Sequence, residues 1–107
     1  MKRDMDLVRK ILLAVEETDS FPDVPGYSSD EIARHIEIMT EYGLVDATIE
    51  RAYGSSVPIC VVRGLTWEGH EFLDAARNEF SWNQAKKRVL ETTGQLGLEA
   101  LKAYLFQ

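Results

Sequence analysis

The segment that decides the fold reads 27-YSSDEIARHIEIMTEYGL-44, 45-VDATIE-50, a polar gap, 59-ICVVRGL-65 and 66-TWEGHEFLDAARN-78. Its hydrophobic spacing predicts, in order, a helix, a strand, a loop, a second strand and a helix. A helix followed by a two-stranded hairpin, or wing, is typical of winged-helix-like folds. Such folds often bind DNA and often do not, so the order of elements leaves the function open.

The helix predicted at 29–42 has signals at both ends. Ser28 is placed as its N-cap and Glu31 follows three residues later, which together form a capping box. Gly43 stands where a left-handed residue commonly ends a helix, and Leu44 can then pack back on the last turn. Because start and stop signals agree, the boundaries of this helix can be predicted closely.

The hairpin is predicted from two short runs of different character. Residues 45–50 alternate apolar and polar side chains, as a half-buried strand does, and 59–65 form a second, β-branched run. The connection at 51–58 contains glycine, serine and proline, and is longer than a two-residue turn. Gly64 interrupts the alternation and predicts a β-bulge near the end of the second strand.

Four further helices are predicted around this core, at 4–17, 67–78, 82–92 and 98–105. Their candidate N-caps, where the sequence offers one, are Asp4, Thr66 and Ser81. The expected fold class is therefore α+β and mostly helical: one winged-helix-like domain over 1–107, with a core at 4–78 and a C-terminal helical extension at 81–107.

Length and charge limit the functions that the chain can have. It has 107 residues and a formal net charge of −6, with a pI near 4.8. An acidic total argues against nucleic-acid binding, since phosphate contacts by basic residues supply much of that affinity. The longest apolar runs fall far short of the roughly 20 residues of a membrane span. The N-terminus mixes acids with bases, unlike a secretory signal, so we expect a cytoplasmic location.

Three segments resemble a known family. They are LTWEGHEFLDAARNEFSWNQAKK at 65–87, MKRDMDLVRKILLAVEE at 1–17 and HIEIMTEYGLVDA at 35–47. Together they are similar to the uncharacterised bacterial and phage family known as domain of unknown function 2513, over nearly the whole chain. The resemblance implies a winged-helix-like fold and an occurrence tied to mobile elements. It implies no activity, so no catalytic residue can be transferred from it.

Catalytic, metal and cofactor sites are not expected. Zinc needs three or four ligands held together, and the chain has two histidines, His35 and His70, and one cysteine, Cys60. Both histidines are predicted to lie at the rim of the core. Cys60 lies in an apolar strand, where a free cysteine behaves as a small hydrophobe. We therefore expect a protein that is not an enzyme and has no cofactor.

Four aromatic side chains are predicted to meet where the third and fourth helices join: Trp67, Phe72, Phe80 and Trp82. Aromatic rings at such a corner pack on one another and contribute large buried areas. This pattern is more typical of a core or subunit contact than of a site that stacks a ligand.

The helix at 29–42 is a poor DNA reader, although the helix before the hairpin normally enters the major groove. It carries one base against four acids: Arg34 against Asp30, Glu31, Glu37 and Glu41. Carboxylates facing phosphates would be repelled. The prolines at 22 and 25 also leave no room in 18–26 for the helix that normally precedes a reading helix.

The main hypothesis is a module that acts through protein contacts. The last helix is amphipathic and carries three candidate interaction residues: Leu101, Tyr104 and Leu105. It can pack on its own core or on a second subunit, so a homodimer through the first and last helices and a monomer both stay open. The alternative is a DNA-binding transcriptional regulator that uses the wing and the fourth helix. Its candidate nucleic-acid-binding residues are Arg51, Arg63, Lys86, Lys87 and Arg88.

Overall fold

The computed structural model describes residues 2–106, so positions 1 and 107 of the predicted domain lie outside it. Within that span the chain forms five helices and one two-stranded antiparallel sheet. The elements are α1 (Met5–Thr18), α2 (Ser29–Glu41), β1 (Val45–Glu50), β2 (Ile59–Leu65), α3 (Trp67–Ala76), α4 (Glu79–Thr93) and α5 (Leu98–Leu105). The predicted α+β, mostly helical class is confirmed, and the order α2–β1–β2–α3 is consistent with a winged-helix-like arrangement.

Helix α1 lies at the centre of the core and packs against α2, α3 and β2. Asp4 is its N-cap, as predicted, and accepts hydrogen bonds from the backbone amides of Asp6 and Leu7 at 3.0 and 3.1 Å. The apolar stripe of the helix, which includes Ile11 and Leu12, is buried within the chain. The face that the sequence offered for a dimer contact is therefore already covered by the protein's own core.

Helix α2 begins and ends as its signals predict. Ser28 Oγ accepts from the amide of Glu31, and a Glu31 carboxylate oxygen accepts from the amide of Ser28, each at 3.1 Å. At the other end Gly43 has a φ of +74°, and the amide of Leu44 donates to the carbonyl of Met39 at 2.9 Å. This is the Schellman ending that the sequence predicts. The connection before the helix, residues 19–28, contains no helix, which also agrees with the prediction.

The hairpin contains the predicted bulge. Asp46 is paired with Gly64, but the next residue, Ala47, is paired with Val62, so Arg63 is the extra residue of β2. Gly64 has a φ of +154°, which an L side chain rarely adopts. Side chains alternate between an inner face on the core, formed by Ala47, Ile49, Cys60 and Val62, and an outer face in solvent, formed by Asp46, Thr48, Glu50, Ile59, Val61 and Arg63.

Helix α3 crosses very close to the end of α2. Thr66 caps it, as predicted, by accepting from the amide of Gly69 at 2.9 Å, and the amide of Thr66 donates to the carbonyl of Leu44 at 3.2 Å. A Cβ atom added to Gly69 would lie only 1.9 Å from that same carbonyl oxygen. The close packing of this crossing therefore requires glycine at position 69.

The prediction that Ser81 caps α4 is wrong. Asn78 is the N-cap, because its side-chain oxygen accepts from the amide of Ser81 at 3.0 Å, and the helix begins at Glu79. Helix α3 correspondingly ends at Ala76, two residues earlier than predicted. The two helices are thus separated by two residues, Arg77 and Asn78, and not by the three residues that the sequence predicts.

The predicted aromatic cluster forms only in part. Trp82 is buried and meets Phe72 edge to face, with ring centroids 6.3 Å apart, and Phe106 meets the same ring at 6.3 Å. Trp67 and Phe80 are instead 79% and 72% exposed, so their predicted place in the cluster is wrong. Each lies in the first turn of its helix, on the side that faces away from the core.

Helix α5 packs on the same chain. It contacts α3 and α4, and it buries Leu98 and Leu101 in the common core. Tyr104 and Leu105 are half-buried against that core. Of the two arrangements that the sequence left open for the last helix, the structure shows packing on its own core.

Candidate functional site

An open cleft of about 380 Å³ lies between α2 and the loop that joins the two strands. Five residues line it: Arg34, Glu37, Ile38, Arg51 and Ser56. The first three are three and four positions apart on α2 and therefore share one helix face. The other two come from the loop, which folds back onto that face. This cleft brings together the helix and the wing, the two elements that the sequence singled out.

The loop is held in place by Arg51, the residue that directly follows β1. Its Nη1 donates to the carbonyl of Ser56 at 2.8 Å. Its Nη2 donates to both carboxylate oxygens of Glu37, at 2.7 Å to Oε2. The side chains of this pair are 46% and 22% exposed, so solvent and salt weaken the attraction. The guanidinium of Arg51 is nonetheless committed to groups of its own chain.

Arg34 lies beside this pair and is held by a single, weak contact. Its Nη2 donates to the hydroxyl oxygen of Ser56 at 3.4 Å, which is long for such a bond. Among the ion pairs between residues 2 and 106, Arg34 takes part in none. Sequence reasoning counted Arg34 only as one base among four acids. Arg34 precedes Glu37 by three residues, and this spacing places the two side chains on one face of α2. Glu37 is also the residue that pairs with Arg51.

Cys60 lies behind the cleft, on the inner face of the hairpin. Burial raises the pKa of its thiol, the nearby Glu37 carboxylate raises that pKa further, and Arg51 lowers it in part. The thiol lies 3.5 Å from the carbonyl oxygen of Ala33. A raised pKa keeps the thiol protonated near neutral pH, whereas a nucleophilic cysteine needs the opposite.

The five basic residues proposed for nucleic acid do not form one surface. Arg63 is on the outer face of the hairpin, where it donates to Asp46 at 2.8 Å and to Thr48 at 2.7 Å. Lys86 turns towards α1 and pairs with Asp6, while Arg88 borders a separate cleft between α4 and α5. Lys87 is exposed on α4. With Arg51 in the α2–hairpin cleft, these cations point to at least three different places.

The three residues proposed for protein interaction are mostly covered. Leu101 is fully buried in the core of its own chain, so a partner could reach it only if α5 moved away. Tyr104 and Leu105 are half-buried, and Tyr104 borders the cleft between α4 and α5. The amphipathic pattern that suggested an interface is satisfied inside the chain.

His35 lies inside the core and not at its rim, where the sequence analysis predicted it. Only 2% of the residue is exposed. Nδ1 donates to the carbonyl of Glu31 at 2.8 Å, and Nε2 accepts from the backbone amide of Asp4 at 3.0 Å. These partners assign the proton to Nδ1 and use both ring nitrogens. Its burial could have been predicted from its position on the buried stripe of α2, next to Ile36.

His70, in contrast, is on the surface. Its ring nitrogen lies 3.9 Å from Glu16, and half of its side chain is exposed. The two histidines are therefore in different environments and do not share a site. In the part of the chain that the structure describes, no group of three or more His, Cys, Asp or Glu residues could hold a metal ion.

Large apolar side chains remain in solvent on the hairpin. Ile59 and Val61 are each about half exposed on the outer face, at 51% and 55%. Tyr53, at the tip of the loop, is fully exposed. Of these residue types, tyrosine is enriched at protein interfaces. Between residues 2 and 106, no helix has the length and apolar character needed to cross a membrane.

Comparisons with known proteins agree with the resemblance seen in the sequence. A family model described as a hypothetical protein, DUF2513, matches residues 2–95. The chain is also similar to an uncharacterized protein of Haemophilus influenzae. The two are 34% identical over 108 residues, which cover 95% of this chain and 90% of that protein. No solved structure matches.

Proposed function

The chain belongs to the DUF2513 family, and from this premise we propose that it is a non-enzymatic, winged-helix-like module that acts by binding another protein. The main support for this proposal is that both arginines of the wing form ion pairs with carboxylates of the same chain. Arg51 is held by Glu37 and Arg63 by Asp46. A DNA phosphate would have to displace these carboxylates and would then meet their charge. The wing is therefore better suited to a partner that is not a polyanion.

The outer face of the hairpin supports a protein partner. It presents Ile59 and Val61 side by side, two positions apart on β2, with Arg63 next along the strand. Protein interfaces combine an apolar centre with arginine and a polar rim in this way. Separately, Trp67 at the start of α3 is 79% exposed and belongs to a residue type that often dominates binding energy.

The non-enzymatic part of the proposal is supported by the state of the most reactive side chains. Both nitrogens of His35 are used in hydrogen bonds to the backbone. Burial raises the pKa of the Cys60 thiol, which disfavours the nucleophilic thiolate. Neither group is therefore available in the form that nucleophilic or acid–base catalysis requires.

A DNA-binding regulator is the second candidate, and one observation favours it. Arg34 of α2 and Arg51 of the wing line the same cleft, so a backbone phosphate there could contact both. Three acids of α2 remain against it: Asp30, Glu31 and Glu41. Lys87 and Arg88 would have to contribute from α4, where they do not share a surface with the cleft.

A photo-crosslinking residue placed at Ile59 tests the main proposal in the native host. We expect a crosslink to one defined protein, which mass spectrometry identifies, and loss of that crosslink in a Val61→Asp variant. The same crosslinker at Glu91, exposed on α4, is the matched control and should give no such product. A crosslink to a second copy of the chain would mean that the protein forms a homodimer, which light scattering would confirm.

A gel-shift experiment with duplex DNA tests the alternative. Binding that weakens steeply with salt and is reduced by Arg51→Ala would overturn the protein-contact proposal in favour of DNA. The identity of the crosslinked protein also tests the phage or mobile-element setting that the family resemblance implies, and the cytoplasmic location that the sequence predicts.

A further inference from the structure

Two guanidinium groups reach the cleft between α2 and the hairpin from different elements. Arg34 comes from α2 and Arg51 from the loop, and Ser56 contacts both through its hydroxyl and its carbonyl oxygen. One carboxylate, that of Glu37, lines the same cleft and pairs with Arg51. The residues lining the cleft therefore carry two positive charges and one negative charge, in a protein whose total charge is −6.

Glu37 binds Arg51 in the way that a carboxylate of a partner protein would. Both of its oxygens accept hydrogen bonds from Nη2 of Arg51. Arg34, on the same face of α2, has only its 3.4 Å contact with Ser56. The cleft thus holds one internal carboxylate and has one guanidinium that can serve an external carboxylate.

We propose that this cleft binds a single carboxylate side chain, Asp or Glu, on the surface of the partner protein. This inference rests on the proposed function and names the chemistry of the partner. Arg34 is the primary ligand, the hydroxyl of Ser56 donates a second bond, and Ile38 packs on the aliphatic part of the incoming side chain. Glu37 is a built-in competitor, which keeps the cleft weak for isolated anions.

The charge balance favours one carboxylate over a nucleic acid. A single negative charge neutralises the excess positive charge of the cleft. A nucleic acid would continue beyond it as a chain of phosphates and would meet the carboxylates of Asp30, Glu31 and Glu41 on the same helix. A short acidic side chain on a protein surface avoids that repulsion.

The site can be tested by NMR with the full chain and a defined probe, N-acetylglutamate amide, which has one carboxylate. We expect saturable shifts of the Nε–H signals of Arg34 and Arg51 at millimolar probe, and none of Arg63. N-acetylglutamine amide, which lacks the charge, should give no saturable shift. Glu37→Gln should bind the probe several-fold more tightly, because it removes the internal competitor.

Arg34→Gln should abolish the saturable shift of Arg51. Lys87→Gln makes the same change of charge on an exposed site of α4 and should bind the probe as the wild type does. The amide spectrum of each variant reports whether the fold is intact. Failure of the probe to saturate, or equal weakening by Lys87→Gln, overturns the proposal.

Duplex DNA that shifts the same two signals when the probe does not would also overturn the proposal, in favour of phosphate binding. The crosslinking experiment at Ile59 keeps the two proposals separate. A crosslink that persists in Arg34→Gln alongside a failed titration would leave the protein-contact function standing and remove the carboxylate site.

Discussion

The Nε2 atom of His35 accepts a hydrogen bond from the backbone amide of Asp4 at 3.0 Å and so ties α2 to the start of α1. Asp4 in turn accepts a bond from the hydroxyl of Tyr27 at 3.0 Å and caps α1 with its other oxygen. The start of α1 is thus joined both to α2 and to the residue just before the N-cap of α2. The position of α2, and with it one wall of the cleft, depends on this junction.

His35→Ala is expected to destabilise the protein by about 1–3 kcal/mol, because it leaves the amide of Asp4 without its partner in a part-buried site. Chemical denaturation measures the loss. His70→Ala is the matched control, since that ring is half exposed, and should change stability by less than about 0.5 kcal/mol. Equal effects of the two substitutions would contradict a structural role for His35.

Gly69→Ala is expected to be severely destabilising, by about 3 kcal/mol or more, because the new Cβ would lie 1.9 Å from the carbonyl oxygen of Leu44. A backbone oxygen at a helix crossing cannot rotate away as a side chain can. Gly97→Ala is the control, since a Cβ there meets nothing within 4 Å, and should change stability by less than about 1 kcal/mol. Thermal melts of both variants test this prediction. A near-native melting temperature for Gly69→Ala would refute the close crossing.

Leu101→Ala is expected to reduce the free energy of unfolding by about 2–5 kcal/mol, because the side chain is fully buried in the core of its own chain. The loss should not depend on protein concentration. If α5 belonged to a subunit interface instead, the variant would change the oligomeric state and its melting temperature would follow concentration. Denaturation at two concentrations separates these outcomes.

The reactivity of Cys60 should report on the Arg51–Glu37 pair. Burial raises the pKa of the thiol, Glu37 raises it further and Arg51 lowers it. Glu37→Gln should therefore lower that pKa and speed alkylation by iodoacetamide at mildly alkaline pH, whereas Arg51→Gln should raise it and slow the reaction. Rates measured in denaturant should be equal for all variants. Changes of the same sign in both variants would mean that altered exposure, and not charge, controls the thiol.

The pair of Glu16 and Arg77 joins α1 to the end of α3 and should make stability depend on pH. Two hydrogen bonds, at 3.0 and 2.7 Å, hold the pKa of Glu16 below its ordinary value of 4.5. A lowered pKa in the fold means that the contribution is present above pH 4.5 and is lost as pH falls through the lower, folded value. Arg77→Gln should therefore lower the melting temperature at neutral pH and have less effect at strongly acidic pH. Lys87→Gln should show no such difference between the two conditions.

Local signals account for the part of the fold that could be predicted. The capping box of Ser28 and Glu31, the Schellman ending at Gly43 and the bulge at Gly64 each depend on residues a few positions apart. Backbone geometry and hydrogen bonding over such distances follow directly from residue type. The boundary between α3 and α4 was predicted two to three residues too late, because Asn78 and Ser81 are both acceptable caps and only the path of the chain chooses between them.

By itself, the sequence determined the elements, their order and most of their ends, since those depend on side chains within one helical turn or one strand pair. Tertiary structure alone decided which of these side chains meet. It placed His35 on Asp4, 31 residues away, turned Trp67 outward, and brought Arg34 and Arg51 into one cleft. No local pattern encodes such pairings, because they arise when distant segments pack to bury a common core. The candidate site belongs to that second class.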